Sequence, residues 1–367
     1  MLAIRDHFTV WALFLMKVLI SGICGFIGSA LARWIKEADP KSEVLGIDNL
    51  MRAGSEINRR LDAIGINVVH GDIRCASDIE ELPRADWVID AAANPSVLAG
   101  LRTGTRQLVE HNLLGTVNVL EYCRRHQAGF LLLSTSRVYA IRSLSKLPIE
   151  VVGSRFVPRF AEMQNSGLSA RGLNEHFSTA APISLYGAAK LASEALALEY
   201  GHAFDFPVWI NRCGVLAGAG QFGTAEQGIF SFWLHAWRSR RPLRYTGFGG
   251  SGYQVRDAMH PDDLASLILK QMQYSGSDQE RTYNVSGGIK NAISLRELSE
   301  WCEQRFGPNS VSSDARERPF DIPWLVLDES RASSTWNWQP ERTMESILTE
   351  IGEHAERHPN WLELTGA

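Results

Sequence analysis

Short apolar runs alternate with longer amphipathic segments over the first two thirds of the chain. Six of the apolar runs predict strands, over Lys17–Ser21, Glu43–Asp48, Asn67–Gly71, Trp87–Ala93, Phe130–Ser134 and Pro207–Cys213. Helical periodicity predicts three long helices, over Phe26–Ala38, Gly100–His126 and Tyr186–Tyr200. Apolar strands that alternate with helices are typical of a parallel sheet covered on both faces. We therefore predict an α/β fold with a doubly wound parallel sheet.

The pattern changes after the fifth strand. Residues 141–181 have no clean period and contain several Pro and Gly, so we expect a long insertion there. The prediction is a first domain over 16–213 and a smaller, mainly substrate-binding domain over 214–367, with segments around 255–287 returning to the first domain. Residues 1–15 are expected to form an N-terminal extension.

Charge and cysteine content narrow the possible functions. The 367 residues carry a formal net charge of −4, without the basic excess expected of a nucleic-acid-binding protein. The five cysteines are scattered and form no CxxC pair, so we expect neither a disulfide framework nor a metal site, and a cytoplasmic location. No apolar run reaches the roughly 18 residues of a membrane span, so no membrane association is expected.

A glycine motif follows the first predicted strand and opens the first helix. Gly22, Gly25 and Gly28 have the spacing GxxGxxG, which lets the backbone approach a pyrophosphate at the helix N-terminus. Asp48 ends the second strand, where a carboxylate accepts hydrogen bonds from the ribose hydroxyls and disfavours a 2′-phosphate. The sheet is therefore predicted to be Rossmann-like, with NAD favoured over NADP.

A Tyr–Lys pair supplies candidate chemistry. Tyr186 and Lys190 are four residues apart and share one face of a predicted helix. An ammonium near a phenol favours the phenolate, which can move a proton while a hydride moves to or from a nicotinamide. Ser134 and Thr135 lie at the carboxyl end of the fifth strand, and either hydroxyl could share a proton with Tyr186.

Together these motifs resemble the extended short-chain dehydrogenase/reductase superfamily, which includes the sugar-nucleotide epimerases and dehydratases, over about residues 16–345. The matching motifs are GxxGxxG, Asp48-Asn49-Leu50, Gly71-Asp72-Ile73-Arg74, Ala91-Ala92-Ala93, the run Asn112–Asn118, Ser134-Thr135, Tyr186/Lys190, Arg256-Asp257 and His260–Asp263. One departure is Asp90, where the family often has His.

The resemblance implies a role for each matching residue. It implies that NAD is bound by Gly22, Gly25, Phe26, Ile27, Gly28, Asp48, Asn49, Asp72, Ile73, Ala91, Ala92, Ala93, Asn112, Tyr186 and Lys190. It implies that Thr135, Tyr186 and Lys190 are the catalytic residues. It also implies a homodimer in which residues 100–126 and 186–200 form a four-helix interface.

Absent residues narrow the reaction. In the 4,6-dehydratases an Asp-Glu pair follows the catalytic Thr and eliminates water, whereas this chain has Ser136 and Arg137 there. In the 3,5-epimerases a Cys that deprotonates carbon stands at the position of Ser136. Reversible hydride transfer is the chemistry that remains.

A longer stretch, from Gly218 to Gly228, resembles the CDP-paratose 2-epimerases. That resemblance implies a CDP- or UDP-linked sugar as substrate, contacted by Ser136, Gln221, Gln227 and Arg256, with Arg256 on the diphosphate. It implies that hydride leaves a sugar carbon, most readily C2 of a CDP-deoxyhexose, and returns to its other face from the same bound cofactor. Such an enzyme would serve polysaccharide biosynthesis.

Three other functions stay open. A UDP-hexose 4-epimerase uses the same catalytic residues and differs in the shape of the pocket. A net NAD(P)-dependent nucleotide-sugar reductase or dehydrogenase would release NADH stoichiometrically. A non-catalytic dinucleotide-sensing relative is the least favoured, because Thr135, Tyr186 and Lys190 are all present.

Overall fold

The computed structural model describes residues 16–98, 104–163, 167–276 and 279–367. The N-terminal extension predicted for residues 1–15 lies outside the described residues.

The strands of the described chain are β1 Lys17–Ser21, β2 Glu43–Asp48, β3 Asn67–His70, β4 Trp87–Asp90, β5 Gly129–Thr135, β6 Ile149–Val152, β7 Arg155–Pro158, β8 Leu168–Ser169, β9 Gly172–Leu173, β10 Val208–Cys213, β11 Val215–Leu216, β12 Leu243–Thr246, β13 Val255–Met259, β14 Thr282–Val285, β15 Ala292–Ser294, β16 Val311–Asp314 and β17 Trp324–Leu325.

The α-helices are α1 Phe26–Ala38, α2 Ala76–Glu80, α3 Thr105–Val109, α4 Gly115–His126, α5 Ile141–Ser145, α6 Ser184–Phe204, α7 Ile229–Arg238, α8 Pro261–Gln273, α9 Leu295–Phe306, α10 Ser330–Trp336, α11 Met344–Arg357 and α12 Trp361–Leu364. The 3₁₀ segments are Ser55–Ile64, Ser136–Val138, Phe160–Glu162, Phe248–Gly250 and Ile289–Asn291, and a π-helical turn spans Glu110–Leu114.

A seven-stranded parallel sheet forms the centre of the molecule. Its strand order is β14-β10-β5-β4-β1-β2-β3, with the crossovers that helices on both faces require. The inner strands are buried on both sides; in β1, for example, the residues after Lys17 are all buried. The edge strand β3 is partly exposed. The sheet contains all six strands predicted from the sequence, and β14 adds a seventh from a distant part of the chain.

Two predicted elements end differently in the structure. The fourth strand stops at Asp90 rather than Ala93, because residues 91–94 leave the sheet and line a cavity. Of the helix predicted over Gly100–His126, residues 100–103 lie outside the described residues. Gly104 has a left-handed conformation with a φ of +76°, so the helix begins at Thr105, and a π-helical turn divides it at Glu110–Leu114.

The remainder of the chain builds a second apolar core beside the sheet. Helices α7, α9 and α11 contribute its buried residues, among them Trp233, Leu298 and Ile351. A smaller sheet of four strands joins this core to the larger sheet. Its central strand is β13, which pairs with β11, β15 and β17.

The segment 141–181, expected to be irregular, contains α5, the β6–β7 hairpin and the two-residue pair β8–β9. Contacts with other parts of the chain hold both strand pairs of this segment in place. Arg155 forms an ion pair with Glu297 of α9, and the backbone of Leu173 pairs with Val326 and Asp328.

Candidate active site

A cavity of about 620 Å³ opens at the carboxyl ends of β1, β2, β4 and β5. In open parallel sheets this edge is where ligands bind. Most residues that the sequence predicts to bind cofactor or substrate line the cavity: Gly22, Gly25, Phe26, Ile27, Gly28, Asp48, Asn49, Ile73, Ala91, Ala92, Ala93, Thr135, Ser136, Tyr186, Gln221 and Gln227. The predicted residues Asp72, Asn112, Lys190 and Arg256 are not part of the lining.

The glycine loop accepts no larger side chains. Gly22 has a φ of +66°, and a Cβ there would lie 2.8 Å from the Cα of Ala92. A Cβ at Gly28 would overlap the carbonyl oxygen of Gly22. Helix α1 begins just after Gly25 and has no side-chain N-cap, so the amides of its first turn are left for a ligand. This cradle fits the pyrophosphate of a dinucleotide.

Asp48 connects the glycine loop to the loop that follows β2. Its Oδ2 accepts from the amide of Cys24 at 2.9 Å, and its Oδ1 accepts from the amide of Leu50 at 2.8 Å. Burial raises the pKa of Asp48, although these backbone hydrogen bonds work in the opposite direction. A carboxylate has about four lone-pair positions, so acceptor sites remain for ribose hydroxyls.

Asn112 holds the cavity wall without touching the cavity. Its Oδ1 accepts from the amide of Asn94 at 2.8 Å, and its Nδ2 donates to the Asn94 carbonyl at 3.0 Å. The carbonyl of Asn112 accepts from the hydroxyl of Ser193 at 2.8 Å. The carbonyl of Asn112 therefore faces α6, while its side chain faces the loop after β4. We attribute the π-helical turn to these two sets of contacts.

Thr135 and Tyr186 meet where β5 and α6 converge. Helix α6 starts with Ser184, whose hydroxyl accepts from the amide of Gly187 at 3.1 Å. Burial raises the pKa of Tyr186 to about 12, even though the hydroxyl of Thr135 and the positive charge of Arg137 oppose the increase. The phenol is therefore protonated at neutral pH unless a further positive charge arrives nearby.

The two hydroxyls at the end of β5 have different partners. The hydroxyl of Ser134 donates to Glu194, whose carboxylate also receives the guanidinium of Arg212 at 2.7 Å. The hydroxyl of Thr135, in contrast, lowers the pKa of Tyr186. Of the two alternatives that the residue pattern leaves open, Thr135 is the one close enough to the phenol to act on its pKa.

Lys190 lies one helical turn beyond Tyr186 and is 1% exposed. Burial lowers the pKa of Lys190, and the negative charges of Asp90 and Glu194 oppose that effect. Asp90 is itself fully buried and accepts from Ser21 at 2.5 Å and Thr116 at 2.7 Å. Asp90, which stands where the family often has His, is thus a buried acceptor whose negative charge favours the charged form of Lys190.

The other predicted residues outside the lining are engaged with neighbours. Asp72 forms an ion pair with Arg74 at 2.6 Å and accepts from Asn49, which does line the cavity, at 2.9 Å. Arg256 lies 3.7 Å from Asp321, so its charge already has a partner.

The loop between β11 and α7 closes over the cofactor end of the cavity. Arg52, on the loop after β2, donates to Gln227 Oε1 at 3.2 Å and to the carbonyl of Phe222. Gln221 donates to the Leu216 carbonyl at 2.7 Å. Sequence reasoning missed Arg52 as a contact, because its partners lie 170 and 175 residues away along the chain.

Sequence reasoning also missed a cation in the cavity wall. Arg137 lines the cavity together with Thr135 and Tyr186, and burial and the charges of Arg256 and Arg318 lower its pKa. From the sequence, Arg137 was notable only because the 4,6-dehydratases have an acidic residue at that position. Nothing in the pattern around Arg318 singled it out.

The described residues contain no helix that is both long and apolar enough to cross a membrane. In the same ranges, no group of three or more His, Cys, Asp or Glu side chains is arranged to hold a metal ion.

Comparison with known proteins decides the family. A profile of the NAD dependent epimerase/dehydratase family matches residues 18–286, which include the glycine loop, Thr135, Tyr186 and Lys190. The chain belongs to this family. It is therefore an NAD-dependent enzyme, and the prediction of NAD from the glycine loop and Asp48 is confirmed.

Curated relatives of this epimerase/dehydratase include enzymes of more than one specificity. CDP-paratose 2-epimerase of Salmonella typhi is 27% identical over 342 residues, which cover 89% of this chain and 95% of that enzyme. UDP-glucuronate 4-epimerase of Thermodesulfobacterium geofontis is 26% identical over 342 residues, covering 90% of this chain and 93% of that enzyme.

A solved structure, UDP-glucuronic acid 4-epimerase from Bacillus cereus in complex with UDP-glucuronic acid and NAD, superimposes with a TM-score of 0.74 at 21% identity. The match covers 93% of this chain and 99% of that chain. It confirms the predicted Rossmann-like α/β fold.

Proposed function

We propose that this enzyme is a sugar-nucleotide epimerase that inverts C2 of a CDP-linked deoxyhexose through reversible hydride transfer. The observation that carries the proposal is that Thr135 and Tyr186 both lie in the wall of the cofactor cavity, with Lys190 one turn further along α6. The 27% identity to a CDP-paratose 2-epimerase over nearly the whole chain supports the choice of sugar.

In this proposal the chain's own residues bind, orient and move one proton. The glycine loop and Asp48 hold the dinucleotide, which when bound supplies the hydride acceptor and a positively charged ring. Tyr186 takes the proton of the sugar hydroxyl and later returns it, and Thr135, which lines the same cavity, shares that proton. The role proposed for Lys190, one helical turn from Tyr186, is to add positive charge that favours the phenolate.

The residues after Thr135 favour epimerisation over loss of water. Ser136 and Arg137 line the cavity, and neither is a carboxyl group that could act as acid or base in an elimination. Cys213 also lines the cavity, but burial raises the pKa of its thiol to about 12, so it stays protonated at neutral pH. Hydride transfer needs none of these three residues as an acid or a base.

The loop around Gln221 and Gln227 supports binding of the substrate next to the cofactor. Both side chains line the cavity, and the Oε1 of Gln221 is buried without a partner in the described part of the chain. We assign Arg256 to the neighbourhood of the diphosphate, where a guanidinium can bridge two oxygens.

A UDP-hexose 4-epimerase is the second candidate. Its support is the 26% identity to a UDP-glucuronate 4-epimerase over 90% of this chain. The catalytic residues would be the same, and only the position of the ring along the cavity would differ.

A panel of substrates tests the proposal. The purified enzyme, without added NAD, is incubated with CDP-paratose, CDP-glucose, UDP-glucose and UDP-glucuronic acid, and the products are followed by NMR. The proposal expects inversion at C2 of CDP-paratose. Inversion at C4 of a UDP-sugar, with no change in the CDP-sugars, would replace it with the second candidate. Stoichiometric release of NADH would indicate a net dehydrogenase.

We also infer that the enzyme is a cytoplasmic homodimer. Its five cysteines are free thiols, which agrees with a reducing compartment. Within the predicted interface ranges, Leu114 is 51% exposed and Val109 is also an exposed apolar residue. Leu185 and Phe204, just outside the predicted range 186–200, are exposed at the two ends of α6. Light scattering of the purified protein should give twice the chain mass of 40.8 kDa.

A further inference from the structure

Two C-terminal helices, α11 and α12, contact the Gly218–Gly228 loop. The loop connects β11 to α7, and its residues Gln221, Phe222 and Gln227 line the cavity. A misplacement of about 1 Å in the wall of a site can change a rate by about 10²-fold. The contacts that fix this loop therefore bear on the function of the cavity.

Glu350 of α11 fixes the start of the loop. Its Oε1 accepts from the amide of Ala219 at 3.1 Å, and its Oε2 lies 3.0 Å from Nε2 of His260, a residue that is 7% exposed. A Cβ at Gly218 would lie 3.1 Å from that Nε2 and 3.4 Å from the ring of Phe26, which lines the cavity. The carboxylate therefore joins a buried imidazole to the backbone of the loop.

Trp361 of α12 fixes the next part of the loop. Its Nε1 donates to the carbonyl of Gln221 at 2.9 Å. Its ring stacks on Phe222, with the centroids 5.8 Å apart and the planes inclined by 20°. Trp361 is itself buried and packs edge-on against His354 of α11, with 4.7 Å between the centroids. A hydrogen bond and a ring contact thus hold two consecutive residues of the loop.

The residues after α12 reach the loop that follows β2. A Cβ at Gly54 would lie 3.0 Å from Cγ2 of Thr365, which is 2% exposed. Arg52, on the same loop as Gly54, donates to two residues of the Gly218–Gly228 loop. The C-terminal residues therefore contact both loops that meet at the cofactor end of the cavity.

We propose that Glu350 and Trp361 are positioning residues that hold the Gly218–Gly228 loop over the bound cofactor. Glu350 acts through the amide of Ala219, and Trp361 acts through the carbonyl of Gln221. Neither Glu350 nor Trp361 is part of the cavity lining, so each acts through the loop. The inference depends on the use of NAD by this family and is independent of which sugar reacts.

Stopped-flow displacement of NAD from the loaded enzyme tests both residues. Loss of one charge-assisted hydrogen bond predicts that Glu350→Ala releases NAD about tenfold faster than the wild type. Trp361→Phe keeps an aromatic ring and loses the indole donor, so an increase of about fivefold is expected. Glu350→Gln keeps an acceptor for the amide of Ala219, so it should release NAD at a rate close to that of the wild type.

Two matched variants control for changes elsewhere in the same helices and for loss of an indole donor. Glu353→Ala removes an exposed carboxylate of α11, and Trp301→Phe removes an indole of α9 that donates to Glu345. Both should release NAD at the wild-type rate. Melting temperatures establish that the variants are folded, and Trp361→Phe supplies the test if Glu350→Ala does not fold.

Two results would overturn the proposal. The first is release of NAD at the wild-type rate by Trp361→Phe and by folded Glu350→Ala. The second is release by Glu350→Gln as fast as that by Glu350→Ala, because the charge of Glu350, and not its hydrogen bond to the loop, would then be responsible. Either result would leave the proposed function standing.

Discussion

Tyr186 is the side chain on which the proposed chemistry depends most. Tyr186→Phe removes one hydroxyl from a buried ring, so the fold and NAD binding should be retained. Loss of a general acid/base predicts a decrease in turnover of about 10²–10⁴-fold. The rate is measured by NMR with the substrate that the panel identifies. A variant that keeps more than a tenth of the wild-type rate would show that another group moves the proton.

Asp48 is expected to select the cofactor. Asp48→Ala should weaken NAD binding by about 10- to 100-fold, because hydrogen bonds from ribose hydroxyls to a carboxylate are lost. Binding of NADP should fall less, since repulsion of the 2′-phosphate is lost as well. Fluorescence titration with both cofactors measures the difference. An equal loss for both would mean that Asp48 acts only through its hydrogen bonds to the amides of Cys24 and Leu50.

Some residues of the site could be predicted from the sequence and others could not. The positive φ of Gly22 and the place of Asp48 at a strand end depend on local sequence, so their positions in the site were predictable. Arg256 is different, because its charge is paired with Asp321. That pairing joins residues 65 positions apart and has no signature in either local pattern.

Among the elements, the strands were predicted more accurately than the helix that carries Asn112. Apolar runs buried on both faces specify parallel strands almost without other information. The π-helical turn at Glu110–Leu114 could not be predicted, because it depends on contacts of Asn112 with Asn94 and Ser193 from other elements.

The loop after β2 and the loop before α7 are joined by Arg52. Arg52→Ala removes its hydrogen bonds to Phe222 and Gln227, so we expect NAD to dissociate about tenfold faster, with the fold unchanged. Arg60→Ala, at an exposed position on the same segment, is the matched control. Stopped-flow displacement of NAD measures the rate. If both variants release NAD at the wild-type rate, the contact does not retain the cofactor.

For the molecule as a whole, a buried histidine pair predicts acid sensitivity. His235 and His354 are in contact at 3.1 Å. Burial and neighbouring positive charges lower the pKa of His235 to about 3 and that of His354 to about 4. An unfolded histidine has a pKa near 6.5, so below that pH the unfolded chain binds protons that the folded chain does not.

The contribution of these two histidines to the free energy of unfolding should therefore be complete above pH 6.5 and fall as the pH is lowered towards 4, by up to about 1.4 kcal/mol per pH unit for each histidine. Urea unfolding at pH 7, 6 and 5 measures this dependence. His354→Asn should have a shallower dependence than the wild type, and the exposed His202→Asn should not. Identical slopes for His354→Asn and the wild type would contradict the assignment.

In the proposed reaction, one bound cofactor removes a hydride and returns it to the same carbon. The direct test uses the substrate identified by the panel, deuterated at the carbon that inverts, in ordinary water and without added NAD. Reversible hydride transfer predicts inverted product that retains its deuterium. Inverted product that has exchanged its deuterium for solvent hydrogen would contradict it, because that result requires deprotonation of carbon.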